Sequence, residues 1–155
     1  MHSTIYEITQ EAIDPKDWAS ESNFYEDDNV DYTTLLSGEE RDEAIEDLCN
    51  SRWFNRLFSR GKEPNTIIYN GNIEAVKDEW YQELQKELQS LIDKRHCDTY
   101  KLRKAIDRPF GDYTLFCLSD WCGSSSCYPR ELLELLERTK PGTVFYINSV
   151  FDYHW

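Results

Sequence analysis

The residues best suited to chemistry lie at positions 120–127, which read Asp-Trp-Cys-Gly-Ser-Ser-Ser-Cys. They stand between a nearly continuous apolar run, residues 113–118, and a segment led by Pro129 that has the pattern of a helix. A thiol at a strand-to-helix junction can be made nucleophilic, because the positive end of the helix dipole stabilises the thiolate. A phosphatase-type loop would also need an arginine close behind its cysteine. Arg130 is eight residues beyond Cys122 and three beyond Cys127, and neither spacing fits.

Trp121-Cys122-Gly123 resembles the opening of a thioredoxin active site. That family's second cysteine follows three positions on, whereas Cys122 and Cys127 are five apart, so the redox pair is missing. Both are read more simply as small loop residues without special reactivity. Zinc is the other use of the cluster. Cys117, Cys122 and Cys127 are evenly spaced, and His96 or Cys97 would complete four ligands. The set lacks the tight two-residue knuckle of strong zinc sites, and Cys117 falls inside an apolar run where a core side chain is expected.

Other motifs fail on specific positions. Asp27, Asn29 and Asp31 open like a calcium loop, but Tyr32 stands where glycine is needed and Gly38 where the bidentate glutamate belongs. His2 and His154 lie near the termini, and no Ser or Cys is spaced about His96 to form a triad. Gly61, Gly71, Gly111, Gly123 and Gly142 are isolated, so no phosphate-cradling loop exists. The expectation is therefore no catalytic residue, no metal and no cofactor.

Charge is more informative than any motif. The chain has 155 residues and a formal net charge of −13. Residues 1–47 hold fifteen Asp or Glu against Lys16 and Arg41, while residues 48–155 hold fifteen of each sign. The entire net charge thus belongs to the first 47 residues. Within them Trp18, Phe24, Tyr25 and Tyr32 flank Glu26, Asp27, Asp28 and Asp31, and Glu39, Glu40, Asp42, Glu43, Glu46 and Asp47 follow. Carboxylates on a rigid surface can imitate nucleic acid phosphates and enter a basic groove, with aromatic residues as anchors. The plainer alternative is a solvated face that only aids solubility. Arg52, Arg56 and Arg60, at helical spacing, reverse the sign; pairing with nearby acids is the expected use, worth at most a few tenths of a kcal/mol per exposed pair.

The positioning elements follow from periodicity. Residues 3–9 alternate as a first strand, with Ile5 facing opposite to Tyr6 and Ile8. Residues 14–36 are irregular. Ser37-Gly38-Glu39-Glu40 is a capping box that should begin a helix whose buried face is Ala44, Ile45, Leu48 and Cys49. Trp53, Phe54, Leu57 and Phe58 continue it or form a second helix before Gly61. Residues 66–70 read as a second strand or an extended lead-in. Residues 72–94 give the clearest helix, with Ile73, Val76, Trp80, Leu84, Leu88, Leu91 and Ile92 in one stripe. A shorter helix is expected over 99–107, a central strand buried on both faces over 113–118, a helix from Pro129 to Arg138, and a last strand over 143–153.

These elements imply one α+β domain, residues 1–155, in which a mixed or antiparallel sheet of about four strands carries three or four helices. The acidic irregular segment wraps over or projects from this body. Five Trp, ten Tyr and seven Phe supply its packing surface. Five irregularly spaced cysteines do not form a disulfide framework, so reduced thiols are expected. With no apolar run of membrane length and no secretory leader pattern at the start, a cytoplasmic location is expected.

The functional expectation is a non-enzymatic interaction protein that presents an acidic surface to a basic partner. In its most concrete form it is a nucleic-acid mimic inhibiting a host defence or nucleic-acid-binding protein. The expected partner-binding residues are Trp18, Phe24, Tyr25, Glu26, Asp27, Asp28, Asp31, Glu39, Glu40 and Glu43. No nucleic acid should bind directly through this region, and no membrane. The alternatives are a small thiol-dependent or redox enzyme using Cys122 and Cys127, or a metal-stabilised scaffold.

Overall fold

A computed structural model describes residues 2–24, 32–94, 98–107, 114–118 and 129–154. Six strands form one mixed sheet: β1 (His2–Thr9), β2 (Tyr32–Leu35), β3 (Phe58–Arg60), β4 (Thr66–Tyr69), β5 (Thr114–Cys117) and β6 (Val144–His154). The order is β3-β4-β6-β1-β5, with β2 paired to β6 as well. Among the described residues only β1 and β5 run parallel. The helices are α1 (Gly38–Asn50), α2 (Phe54–Leu57), α3 (Ile73–Asp93), α4 (Thr99–Asp107) and α5 (Pro129–Glu137).

β6 organises the sheet. β1 lies along one side of it, while the other side is shared, Val144 to Tyr146 by β4 and Phe151 to His154 by β2. The β1–β6 register steps from Tyr6↔Val150 to Ile8↔Ile147, so Asn148 and Ser149 together oppose Glu7. This is a β-bulge. Its extra residue changes which face the following side chains meet. Ile147 and Val150 both enter the helix-side core although they are three apart, and Phe151 joins the opposite face.

The helix-side face is the larger core. Tyr6, Ile8, Phe116, Phe145 and Val150 meet Ile45 and Leu48 of α1, Phe54 and Leu57 of α2, Val76 of α3 and Leu132, Leu133 and Leu136 of α5. Its aromatic residues interlock. The Phe54 ring stacks on Phe58 at 4.6 Å, and Trp53 meets Phe54 edge-on at 5.5 Å and Phe116 at 6.0 Å. Such edge and offset contacts add to the area they bury. Three polar ties hold the layers together: Tyr6 Oη donates to Ala44 O, Trp80 Nε1 to Ala105 O, and Lys77 Nζ pairs with Glu137 at 2.6 Å.

The opposite face is covered more thinly. Ile5, Leu115, Cys117 and Phe151 pack with Ala19, Phe24 and Tyr153. The covering segment, residues 10–24, contains 3-10 turns at Pro15–Asp17 and Glu21–Asn23. The irregular acidic stretch therefore wraps the body as far as residue 24. Ile5 does face opposite to Tyr6 and Ile8.

Several sequence expectations change. Two short strands bring the sheet to six: β2 arises inside the stretch read as irregular, and β3 takes Phe58 out of the helical pattern. The apolar strand, observed as β5, is not central. It pairs with β1 alone among the described residues, yet Phe116 on one face and Leu115 and Cys117 on the other are buried. A continuous apolar pattern reports covered faces, not the number of hydrogen-bonded neighbours. Ser37 precedes α1 as expected but makes no side-chain capping bond, since Gly38 takes φ +54° and departs from helical geometry where the capping box would form. The α3 stripe leaves the core beyond Trp80: Leu88 and Ile92 are exposed. Finally, Cys117 is disulfide-bonded, which corrects the expectation of reduced thiols, whereas Cys49 is free.

The turn into α3 depends on Gly71, whose φ is +85° and where a Cβ would lie 2.6 Å from Pro141 Cγ. Both the backbone and the Pro141 contact oppose a side chain. Gly71→Ala should lower stability by about 1–3 kcal/mol in denaturant titration, whereas a loss below a few tenths would show that the turn relaxes freely.

Candidate interaction surface

The acidic region is built around Glu7, which is buried, and Arg41, which is half-buried. Glu7 lies on β1 facing the covering segment and is 4% exposed. Its Oε1 and Oε2 accept from Ala19 N, both at 3.1 Å, and Oε2 accepts from Ser149 N at 3.1 Å. Ser149 Oγ returns a bond to Ala19 O at 2.7 Å, and Asn148 Nδ2 donates to Thr9 Oγ1 at 3.0 Å. The Ser149 amide of the bulge and the Ala19 amide of the covering segment thus share one carboxylate. A buried charge left without such partners would cost several kcal/mol.

Arg41 is the counterpart on α1. Its Nε donates to Asn148 O and its Nη2 to Ile147 O, both at 2.9 Å. These carbonyls lie where β6 passes from β4 to β2 without a strand partner, so the guanidinium occupies a gap in the ladder. Its carbon lies 5.3 Å from the Trp18 ring centroid, a cation–π contact. The side chain is only 17% exposed. Burial lowers the guanidinium pKa, opposed by Asp42.

The expected surface residues fall in several places. Trp18 packs on Arg41 and donates its indole N–H to Ile13 O at 3.4 Å. Phe24 meets Phe151 edge-on at 4.8 Å. Both are half-buried in these contacts. Tyr25, Glu26, Asp27, Asp28 and Asp31 lie outside the described residues. Glu39, Glu40 and Glu43 are exposed on α1 with Asp42, Glu46 and Asp47. Among the described residues Glu39, Glu40, Glu43 and Asp47 have no cationic partner, while Glu46 pairs with Arg60 at 3.1 Å and Asp42 lies 3.5 Å from Arg41.

The arginine row behaves as expected of paired charges. Arg52 and Arg56 converge on Glu79, and Arg60, on β3, takes Glu46. Cys49 carries no activated thiol, because burial pushes its pKa up against the opposing influence of Arg60. Cys122 and Cys127 lie outside the described residues. Among the described residues no three His, Cys, Asp or Glu are grouped to hold a metal ion, and no helix is long and apolar enough to cross a membrane.

Glu7 and Arg41 were missed as organising residues, although each left a trace. Glu7 is a charge at a position of the same parity as Ile5, and Arg41 is a lone cation among carboxylates. Neither trace identifies a partner that lies more than a hundred residues away.

Glu43 stands three or four positions from Glu39, Glu40, Glu46 and Asp47. Like charges at these spacings each destabilise a helix by about 0.2–0.5 kcal/mol. Glu43→Gln should therefore raise stability by roughly 0.5–1 kcal/mol in low-salt denaturation, with the gain shrinking as salt screens the repulsion. Arg41→Met should lower it by about 2 kcal/mol or more, since it leaves carbonyls unpaired.

No family model, curated protein or solved structure matches the chain.

Proposed function

We propose that this chain is a non-enzymatic interaction protein that presents the acidic surface of α1 to a basic partner. The observation that carries the proposal is a charge array in which Glu39, Glu40, Glu43 and Asp47 have no cationic partner among the described residues, while Asp42 and Glu46 lie beside Arg41 and Arg60. Six carboxylates occupy residues 39–47, and the helix's one cation in that stretch, Arg41, is turned inward to the sheet. Folding gains nothing from this crowding, since neighbouring like charges oppose the helix. A purely solubilising face would be served as well by charges interspersed in sign.

The charge density favours a partner that ordinarily binds nucleic acid. Nine helical residues span about 12 Å, so the four carboxylates without a cationic partner fall at roughly one per 3 Å of axis, comparable to one strand of duplex DNA at ~3.4 Å per charge. A rigid helix presenting carboxylates at that density would compete for a basic groove, and the same field repels nucleic acid itself.

The test is capture from host extract by the immobilised chain, with Glu39→Gln, Glu40→Gln, Glu43→Gln and Asp47→Asn combined in a folded variant. The parent should retain basic proteins at low salt and release them at high salt, and duplex DNA should compete with their retention. Equal capture by the variant would overturn the role of α1. Salt-sensitive capture that DNA does not displace would overturn the nucleic-acid-like mode and leave a basic partner of another kind.

A further inference from the structure

The covering segment and α1 carry charge of the same sign, yet they are pressed together at one point. Glu11, Asp14, Asp17 and Glu21 are exposed on the segment, where Lys16 is the one cation and pairs with Asp14 at 3.4 Å. Glu39, Glu40, Glu43 and Asp47 are exposed on α1. The contact between the two is Trp18 on Arg41. Charges of one sign repel over a distance set by ionic strength, about 8 Å at 0.15 M and about 30 Å at 0.01 M.

Among the described residues a short set of contacts holds the segment down beside Trp18 on Arg41. Thr9 Oγ1 donates to Glu11 O at 2.8 Å and Gln10 Nε2 to Thr139 Oγ1 at 3.5 Å, Glu7 binds the Ala19 amide, Ser149 Oγ binds the Ala19 carbonyl, Phe24 touches Phe151, and Glu21 Oε1 accepts from Leu35 N at 2.8 Å. Ala19 is the one residue of the segment in the buried core. Regions with few buried apolar contacts open at a fraction of the global unfolding free energy. The helix-side core, with its interlocked aromatic rings, does not depend on them.

We propose that residues 10–24 are a salt-gated strap: they open as a unit while the sheet and helices stay folded, and ionic strength sets the closed population. The Glu7 and Arg41 contacts act as latches, and repulsion between strap and helix acts against them. Opening uncovers the sheet face formed by Ile5, Leu115 and Phe151. The device belongs to the chain alone and holds whether or not α1 docks a partner.

Two amides that share one carboxylate provide the measurement. Ala19 N belongs to the strap and Ser149 N to the sheet, and both donate to Glu7. Strap opening exposes Ala19 and leaves Ser149 bonded, so the ratio of their hydrogen-exchange rates, read by NMR, isolates the local event. The Ala19-to-Ser149 ratio should fall several-fold as ionic strength rises from about 0.01 to about 0.15 M. Glu40→Gln with Glu43→Gln touches no strap contact, yet should lower the low-salt ratio toward its high-salt value. Arg41→Met should raise the ratio at every ionic strength. If that variant does not fold, Trp18→Leu leaves Arg41 on its carbonyls and should raise the ratio in the same direction. Equal rates for the two amides, or a ratio indifferent both to salt and to the helix substitutions, would overturn the strap.

Discussion

The bulge at Asn148 and Ser149 is the constraint on which the rest of the structure depends. It lets one strand place Ile147 and Val150 in the larger core and Phe151 in the smaller, which a regular strand cannot do. A bulge interrupts the hydrogen-bond ladder and leaves buried backbone groups to be satisfied by other means. Here the means are the side chains of Glu7 and Arg41. Glu7 takes the Ser149 amide and Arg41 takes the carbonyls of Ile147 and Asn148.

These two residues also determine how the acidic region is arranged. Glu7 reaches from the bulge to Ala19, and Arg41 reaches from the bulge to Trp18, so the covering segment is fastened through the same few atoms that close the ladder. The two faces of the sheet consequently differ in character. One is a helix-covered core in which aromatic rings meet edge-on and stacked. The other is a small apolar cluster beneath a polar, negatively charged cover. Stability should be concentrated in the first and conformational freedom in the second.

The same arrangement gives the acidic helix its exposed charge. Turning Arg41 inward removes the nearest counterion from the α1 surface, and Arg52, Arg56 and Arg60 are engaged with Glu79 and Glu46. Glu39, Glu40, Glu43 and Asp47 are left to solvent. The array is therefore a product of tertiary structure as much as of composition: the helix's own cation is used elsewhere.

The sequence by itself determined the elements whose signal is local. The 3.6-residue stripe of α3, Pro129 at the start of α5 and the alternation of β1 depend on near neighbours, and each appears close to its expected bounds. The confinement of net charge to residues 1–47 is likewise a property of the chain alone. Tertiary structure decided what depends on distant partners. That Trp18 packs on Arg41 and Phe24 on Phe151 is not visible in their acidic flanks. β2 and β3 are too short to show a period and exist because β6 and β4 offer them edges. Glu7 reads as an ordinary strand acid until Ser149, 142 residues later, donates to it. A side chain's chemistry is written locally, but the group that neutralises or satisfies it is chosen by the fold.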